Sequence, residues 1–310
     1  MKKSFISTVV LIGMLAPLLA ACQAKTTASG GALKILAVET FLADVAQNVA
    51  GDRAQVDSLI PAGLDPHAFE PTPRDVARIA SSSVLILNGH GLEDWLDNVL
   101  KNAGGERLVI EASAGMEPRV QKPGEISANE EHPDQGDPHF WLDPIHMIQY
   151  TLAIRDGLTK ADPAGKDTYT KNADTYIAQL KELDVWIRGQ VAQVPPERRQ
   201  IITNHESLGY FADRYGFSIS GTIIASVSSS AAPSARQVAA LIDTIRKSGA
   251  PAIFLETGTN PQMADQIASE THIKVISGLY THSVSPPGGE APTYIAMMKA
   301  NTKMIVDALK

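Results

Sequence analysis

Two histidines of this chain sit in the same tripeptide, Asp65-Pro66-His67 and Asp137-Pro138-His139, and the second leads into Phe140-Trp141-Leu142-Asp143-Pro144. A residue before proline is pushed out of the α region and proline fixes its own φ, so each step predicts a stiff, extended loop able to aim an imidazole. Two further histidines stand where a pocket would form. His205 follows the apolar run Ile201-Ile202-Thr203, and His282 lies in the loop after Lys274-Val275-Ile276; ligands of open α/β sheets sit beyond the carboxyl ends of strands. Positions 67, 139, 205 and 282 are 72, 66 and 77 residues apart, which excludes a local zinc-finger arrangement and requires a site assembled by the fold. Neutral imidazole suits Zn, Cu, Ni and Fe, and four of them around a closed site suit tetrahedral zinc at about 2.0–2.1 Å. A closed site stores or carries metal, whereas a catalytic one keeps an open position.

The chain has eight histidines, and a lone histidine is more often a surface or satisfied polar residue than a ligand. That plain reading is assigned to His90 in Asn88-Gly89-His90-Gly91, to His146 at an expected helix start, and to His272. His132, beside Glu130, Glu131 and Asp134, reads as a solvated residue of an acidic surface loop or a weak capture point feeding the main site.

The elements that must position these residues follow an alternating pattern. Short apolar runs at 33–38, 56–60, 84–87 and 108–110 predict strands, and amphipathic stretches at 41–50, 74–80 and 92–102 predict helices. The second half repeats the rhythm, with strands at 201–202, 218–224, 252–255 and 274–276 and helices at 208–215, 234–248, 261–270 and 294–309. This alternation predicts an α/β protein of two lobes, each a parallel sheet flanked by helices. Between them, Tyr169, Ala173, Tyr176, Ile177, Leu180, Leu183, Ile187 and Val191 recur at helical spacing up to Pro195-Pro196, which predicts one long rigid helix joining the lobes. The expected division is a lobe over 33–162, a linking helix over 163–194 and a lobe over 195–310, with the metal site in the cleft between lobes.

The N-terminus carries an address. Lys2-Lys3 and the apolar run from Phe5 to Ala20 read as an export signal, too short and wrongly flanked for a stable membrane span. The run ends in Leu19-Ala20-Ala21-Cys22, where Cys22 is the only cysteine. Residues 1–22 thus read as a lipoprotein signal whose cysteine is acylated, and 23–32 as a flexible tether. The expected location is outside the cytoplasm, lipid-anchored to the cell membrane and facing periplasm or exterior. Net charge is −7 and no Lys/Arg-rich block is present, so nucleic acid is not an expected partner.

At this point the residues match a family. Asp65-Pro66-His67-Ala68-Phe69-Glu70-Pro71-Thr72-Pro73, Asn88-Gly89-His90-Gly91-Leu92-Glu93-Asp94-Trp95-Leu96, Asp137 to Pro144, Asn204-His205-Glu206-Ser207-Leu208-Gly209-Tyr210-Phe211 and Thr293-Tyr294-Ile295-Ala296-Met297-Met298 together resemble the zinc/manganese solute-binding lipoproteins of bacterial ABC importers. The resemblance implies a monomer of two α/β lobes that holds one divalent metal for delivery to an ABC permease. It carries ligand positions onto His67, His139 and His205. Manganese-preferring relatives typically place a carboxylate third, so His205 leans toward zinc. The fourth family ligand is usually an aspartate in a Thr-Asp-Ser-like step, whereas this chain has Thr281-His282-Ser283. His282 is expected to substitute; swinging out would leave an open position for water. With no carboxylate among the ligands the site keeps the metal's full charge of +2, and Glu70, Glu206 or Glu256 is expected to accept from the far ring nitrogens. Zinc-specific relatives often carry a long His-rich loop before the second motif, and here that loop is short and acidic.

Three functions follow from this reading. The leading one is capture and delivery of zinc by a non-enzymatic transport component, with manganese, iron or copper as other metals for the same scaffold. A zinc hydrolase with Glu206 as general base is the second, though no His-Glu-x-x-His helix is present. A surface adhesin is the third, and it is compatible with metal capture.

Overall fold

The computed structural model describes residues 33–119, 136–230 and 232–310. The expected signal, Cys22, the tether and His132 lie outside the described residues. In the first half, β1 (Ile35–Ala37), α1 (Thr40–Ala50), β2 (Val56–Ser58), α2 (Pro73–Ser81), β3 (Val84–Leu87), α3 (Leu96–Ala103) and β4 (Leu108–Glu111) build a four-stranded sheet of order β2-β1-β3-β4. In the second half, β5 (Gln200–Thr203), α6 (Gly209–Tyr215), β6 (Ser218–Thr222), α7 (Ala235–Ser248), β7 (Ala252–Glu256), α8 (Gln262–Thr271) and β8 (Lys274–Leu279) build a sheet of order β6-β5-β7-β8. Every strand pair in both sheets is parallel. The two orders are the same, so each sheet has its reversal of strand order next to its first strand, where a crevice opens.

Side chains of a strand alternate between faces, and the sequence uses both. Leu36, Val38 and Leu85 pack on one side of the first sheet with Ile79 of α2 and Leu96 of α3. Ile35, Ala37, Val84 and Ile86 face the other way into a large core that also takes Ile201, Ala252 and Phe254 from the second sheet. The far side of the second sheet carries Ile202, Ile253 and Leu255 against α7 and α8. The lobes therefore share one continuous apolar core and are not separate bodies on a tether.

That shared core is built on helices α4 (His146–Ala161), α5 (Lys166–Val191) and α9 (Tyr294–Leu309), which pack with α1. Helix α5 runs 26 residues, about 39 Å at 1.5 Å per residue. Its buried stripe is Tyr169, Ala173, Tyr176, Leu180, Leu183, Ile187 and Val191. It is shorter at both ends than the 163–194 expected, because Pro163–Gly165 form a 3-10 turn after α4 and the chain turns after Val191. Helix α3 likewise begins at Leu96 instead of Leu92. The Glu93 carboxylate folds back to accept from the Asn88 and Gly89 backbone N–H groups at 2.6 and 3.1 Å, which holds 89–95 in turns.

Candidate metal centre

The four histidines come together from four separate loops. His67 lies between β2 and α2, His139 just before the turn Phe140–Leu142, His205 after β5 and His282 after β8. Nε2 of His139 is 3.3 Å from Nε2 of each of His67, His205 and His282. One nitrogen from each ring falls within 4.8 Å of all the others. His139, His205 and His282 are buried at 0, 0 and 7 % exposure, and His67 is half-buried.

The two Asp-Pro-His steps work through their aspartates as much as through their prolines. Asp65 Oδ1 accepts from the His67 backbone N–H at 2.9 Å, and Asp137 Oδ1 accepts from that of His139 at 3.0 Å. Each is a side-chain-closed turn that fixes where the ring leaves the chain. Asp137 Oδ1 also lies 2.9 Å from His139 Nδ1, which places the proton on Nδ1 and turns the Nε2 lone pair toward the other rings.

In the second half, one carboxylate stands beside two rings, and Thr281 Oγ1 lies 3.3 Å from His282 Nδ1 as well. Glu256, the last residue of β7, has Oε1 2.7 Å from His205 Nδ1 and Oε2 3.5 Å from His282 Nδ1. Ser207 Oγ donates to the same Oε1 at 3.1 Å. Of the three glutamates expected behind the rings, Glu256 takes this place; Glu70 lines the groove outside, and Glu206 is buried with its backbone N–H bound to Ser226 O at 3.0 Å.

Backbone carbonyls beside each ring are also held. Trp95 Nε1 donates to Pro66 O at 2.9 Å, Tyr210 Oη to Asp137 O at 2.7 Å, Trp141 Nε1 to Thr281 O at 2.7 Å, and Thr203 Oγ1 to His205 O at 2.6 Å. Two of these bonds, from Tyr210 and Trp141, cross between the halves. Asn88 holds Pro138 O at 3.1 Å, so the Asn88-Gly89-His90-Gly91 motif supports the loop before His139, while His90 itself takes a left-handed turn. His146 and His272 also stand apart from the cluster, His146 beside Asp143 and His272 as the left-handed cap of α8.

Electrostatics favour a neutral ring at three of the four positions. Burial, then the neighbouring rings, holds the pKa of both His67 and His139 well below the usual imidazole value. Burial also lowers His282, against the opposing charges of Glu256 and Asp65. For His205 burial is the largest single pull and acts downward, but the charge and hydrogen bond of Glu256 together with the charges of Asp65 and Asp137 outweigh it and the pKa is raised. Asp65 and Glu256 resist the upward pull of burial because the histidines oppose it, so Asp65 sits at about 2 and Glu256 below the ordinary glutamate value. Inward lone pairs with carboxylates behind the rings form a donor set for a cation.

A groove of about 820 Å³ leads to this cluster, lined by Asp65, Glu70, Ser229, Glu256, His282 and neighbours from both halves. With this geometry, comparison with known proteins becomes decisive. Residues 35–308 match the family model described as zinc-uptake complex component A, periplasmic. The chain belongs to this family.

Among curated relatives of this family member, the manganese-binding lipoprotein MntA of Halalkalibacterium halodurans is 33% identical over 312 residues, covering 100% of this chain and 99% of the relative. The iron-binding protein YfeA of Yersinia pestis is 28% identical, covering 100% of this chain and 95% of its own length. Among solved structures, the periplasmic zinc-binding protein TroA of Treponema pallidum superposes with a TM-score of 0.80 at 26% identity, covering 90% of this chain and 99% of TroA.

Proposed function

We propose that this chain captures one divalent metal ion, zinc in preference to manganese, outside the cytoplasmic membrane and delivers it to the permease of an ABC importer. The coarser role, a metal-binding component of such an importer, follows from the family. The observation that carries the finer reading is the spacing of the rings. A tetrahedron with metal–nitrogen bonds of about 2.0–2.1 Å has edges of roughly 3.3–3.4 Å; the three pairs that join His139 to the other rings stand at 3.3 Å, and all four nitrogens lie within 4.8 Å of one another. His67, His139, His205 and His282 are then the four ligands. A donor set of four imidazoles without a carboxylate suits zinc better than the harder manganese ion. Because no direct ligand is charged, Asp137 and Glu256 offset the ion's charge from behind the rings, and Asp65 does so from the groove wall beside the His67 backbone.

Relatives named for manganese and for iron support a second reading, in which the same scaffold carries one of those metals. Four imidazoles complete a zinc coordination sphere and leave no position for an activated water, which weighs against a hydrolase using Glu206. Under the same reading, Cys22 carries the lipid anchor, residues 33–162 and 195–310 are the lobes of a monomer, and 163–194 connect them. No described helix is long and apolar enough to cross a membrane. X-ray absorption on the zinc-loaded protein tests the ligand set: four nitrogen donors with imidazole scattering are expected, and a shell containing carboxylate oxygen would overturn it.

A further inference from the structure

Of the four histidines, His67 alone is half-buried, and the groove that reaches the cluster is lined by Asp65, two residues before it, and by His282. An ion leaving the site therefore has its least obstructed path where the loop carrying His67 can swing outward. Three contacts tie that loop to the second half. The Gly63 N–H donates to Ser283 Oγ at 2.9 Å, Gly63 O lies against Gly258, and Ser229 Oγ donates to Asp65 Oδ2. The Ser229 contact differs in kind, because it falls on the carboxylate whose other oxygen holds the His67 backbone N–H. It links the aiming device of one ring directly to the opposite lobe.

Ser229 is itself held in a built loop. The Ser228 N–H donates to Ser226 Oγ at 3.0 Å and the Ser230 N–H to Ser228 Oγ at 3.3 Å, two successive side-chain-closed turns, the second of which carries Ser229 at its middle. The loop's base is fixed by the Glu206 N–H on Ser226 O, one residue from His205. One short segment thus spans from the neighbour of His205 to the carboxylate that holds the His67 backbone N–H.

We propose that the Ser229–Asp65 hydrogen bond is an interlobe latch, with Ser229 a positioning residue that sets how long the metal stays bound. The inference rests on the reading of His67 as a ligand. Capture depends on the open groove, so the latch acts on release and leaves the rate of entry nearly unchanged.

The test is zinc release from the loaded full chain into excess chelator, followed by stopped flow, with zinc capture measured in parallel. Ser229→Ala is expected to release roughly ten-fold faster, the scale of one hydrogen bond to a charged group, with capture within about two-fold of wild type. Ser229→Thr, which keeps the hydroxyl, restores slow release, and Ser230→Ala, one residue along, leaves it unchanged. The double variant Asp65→Asn with Ser229→Ala is no faster than the faster single variant, as partners in one bond require. Thermal melts of each variant distinguish a lost latch from a lost fold. Release of Ser229→Ala at the wild-type rate, equal acceleration by Ser230→Ala, or additive effects in the double variant would overturn the latch while leaving the metal site standing. A wild-type chain that holds no zinc would overturn both.

Discussion

The two halves of the molecule share a strand order but support their candidate ligands differently. In the first half each imidazole has its own aspartate two residues upstream, Asp65 for His67 and Asp137 for His139. In the second half, His205 and His282 come from different strands and share Glu256 on a third. Local support gives each ring a carboxylate of its own, whereas shared support couples two rings through one side chain. Damage to the second half should therefore propagate further than equal damage to the first.

The largest expected effect comes from Glu256→Gln. The amide keeps one acceptor but turns an N–H donor toward the other ring, so zinc affinity falls by about 100-fold, the upper end for a group behind a metal ligand. Asp137→Asn disturbs one ring and is expected to cost about 10-fold. Competition against a chelator of known affinity measures both, and a larger loss for Asp137→Asn would break the contrast between halves.

Acidification should sharpen it. His205 is raised while His67, His139 and His282 are lowered, so with falling pH protons compete with metal first at His205, in the second half. A raised pKa means the proton is bound at higher pH than in ordinary imidazole, near 6.5. Zinc affinity is accordingly flat above the His205 titration and falls by about ten-fold per pH unit once below it, with the other rings adding to the slope only at lower pH. Titrations across pH 8 to 5 check this; a flat profile would contradict imidazole ligation. Glu256→Gln removes the charge that raises His205 and should move the onset to lower pH.

The smallest effects should be equal in the two halves. Thr72 caps α2 and Ser234 caps α7, each in a reciprocal capping box. Alanine at either costs about 1 kcal/mol of stability by denaturant unfolding, and zinc affinity should stay within about two-fold.

The same contrast explains what could be read from the sequence. Strand–helix alternation, the α5 stripe and the four histidines were all legible because each is a local pattern: apolar period, strand end, or Asp-Pro step. The aspartates stood in view within those steps, yet their closing of the turn onto His67 N and His139 N depends on side-chain rotation that a sequence leaves open. Glu256 was one of three glutamates expected behind the rings, although it is 26 residues from His282 and 51 from His205 in sequence. Its selection depends on β7 lying between β5 and β8, a product of strand order and not of spacing. Helix α4 was visible only at its start, since its buried residues Met147, Tyr150, Thr151, Ile154 and Leu158 include a threonine and flank polar positions that blur the stripe.

The central claim is a four-imidazole site that prefers zinc, and the most direct measurement is competition between zinc and manganese for the metal-free protein, alongside His282→Ala. The account predicts that zinc displaces manganese from the wild type and that zinc affinity and the margin over manganese both shrink on losing His282. Equal zinc affinity in the two proteins, or manganese displacing zinc from the wild type, would contradict it.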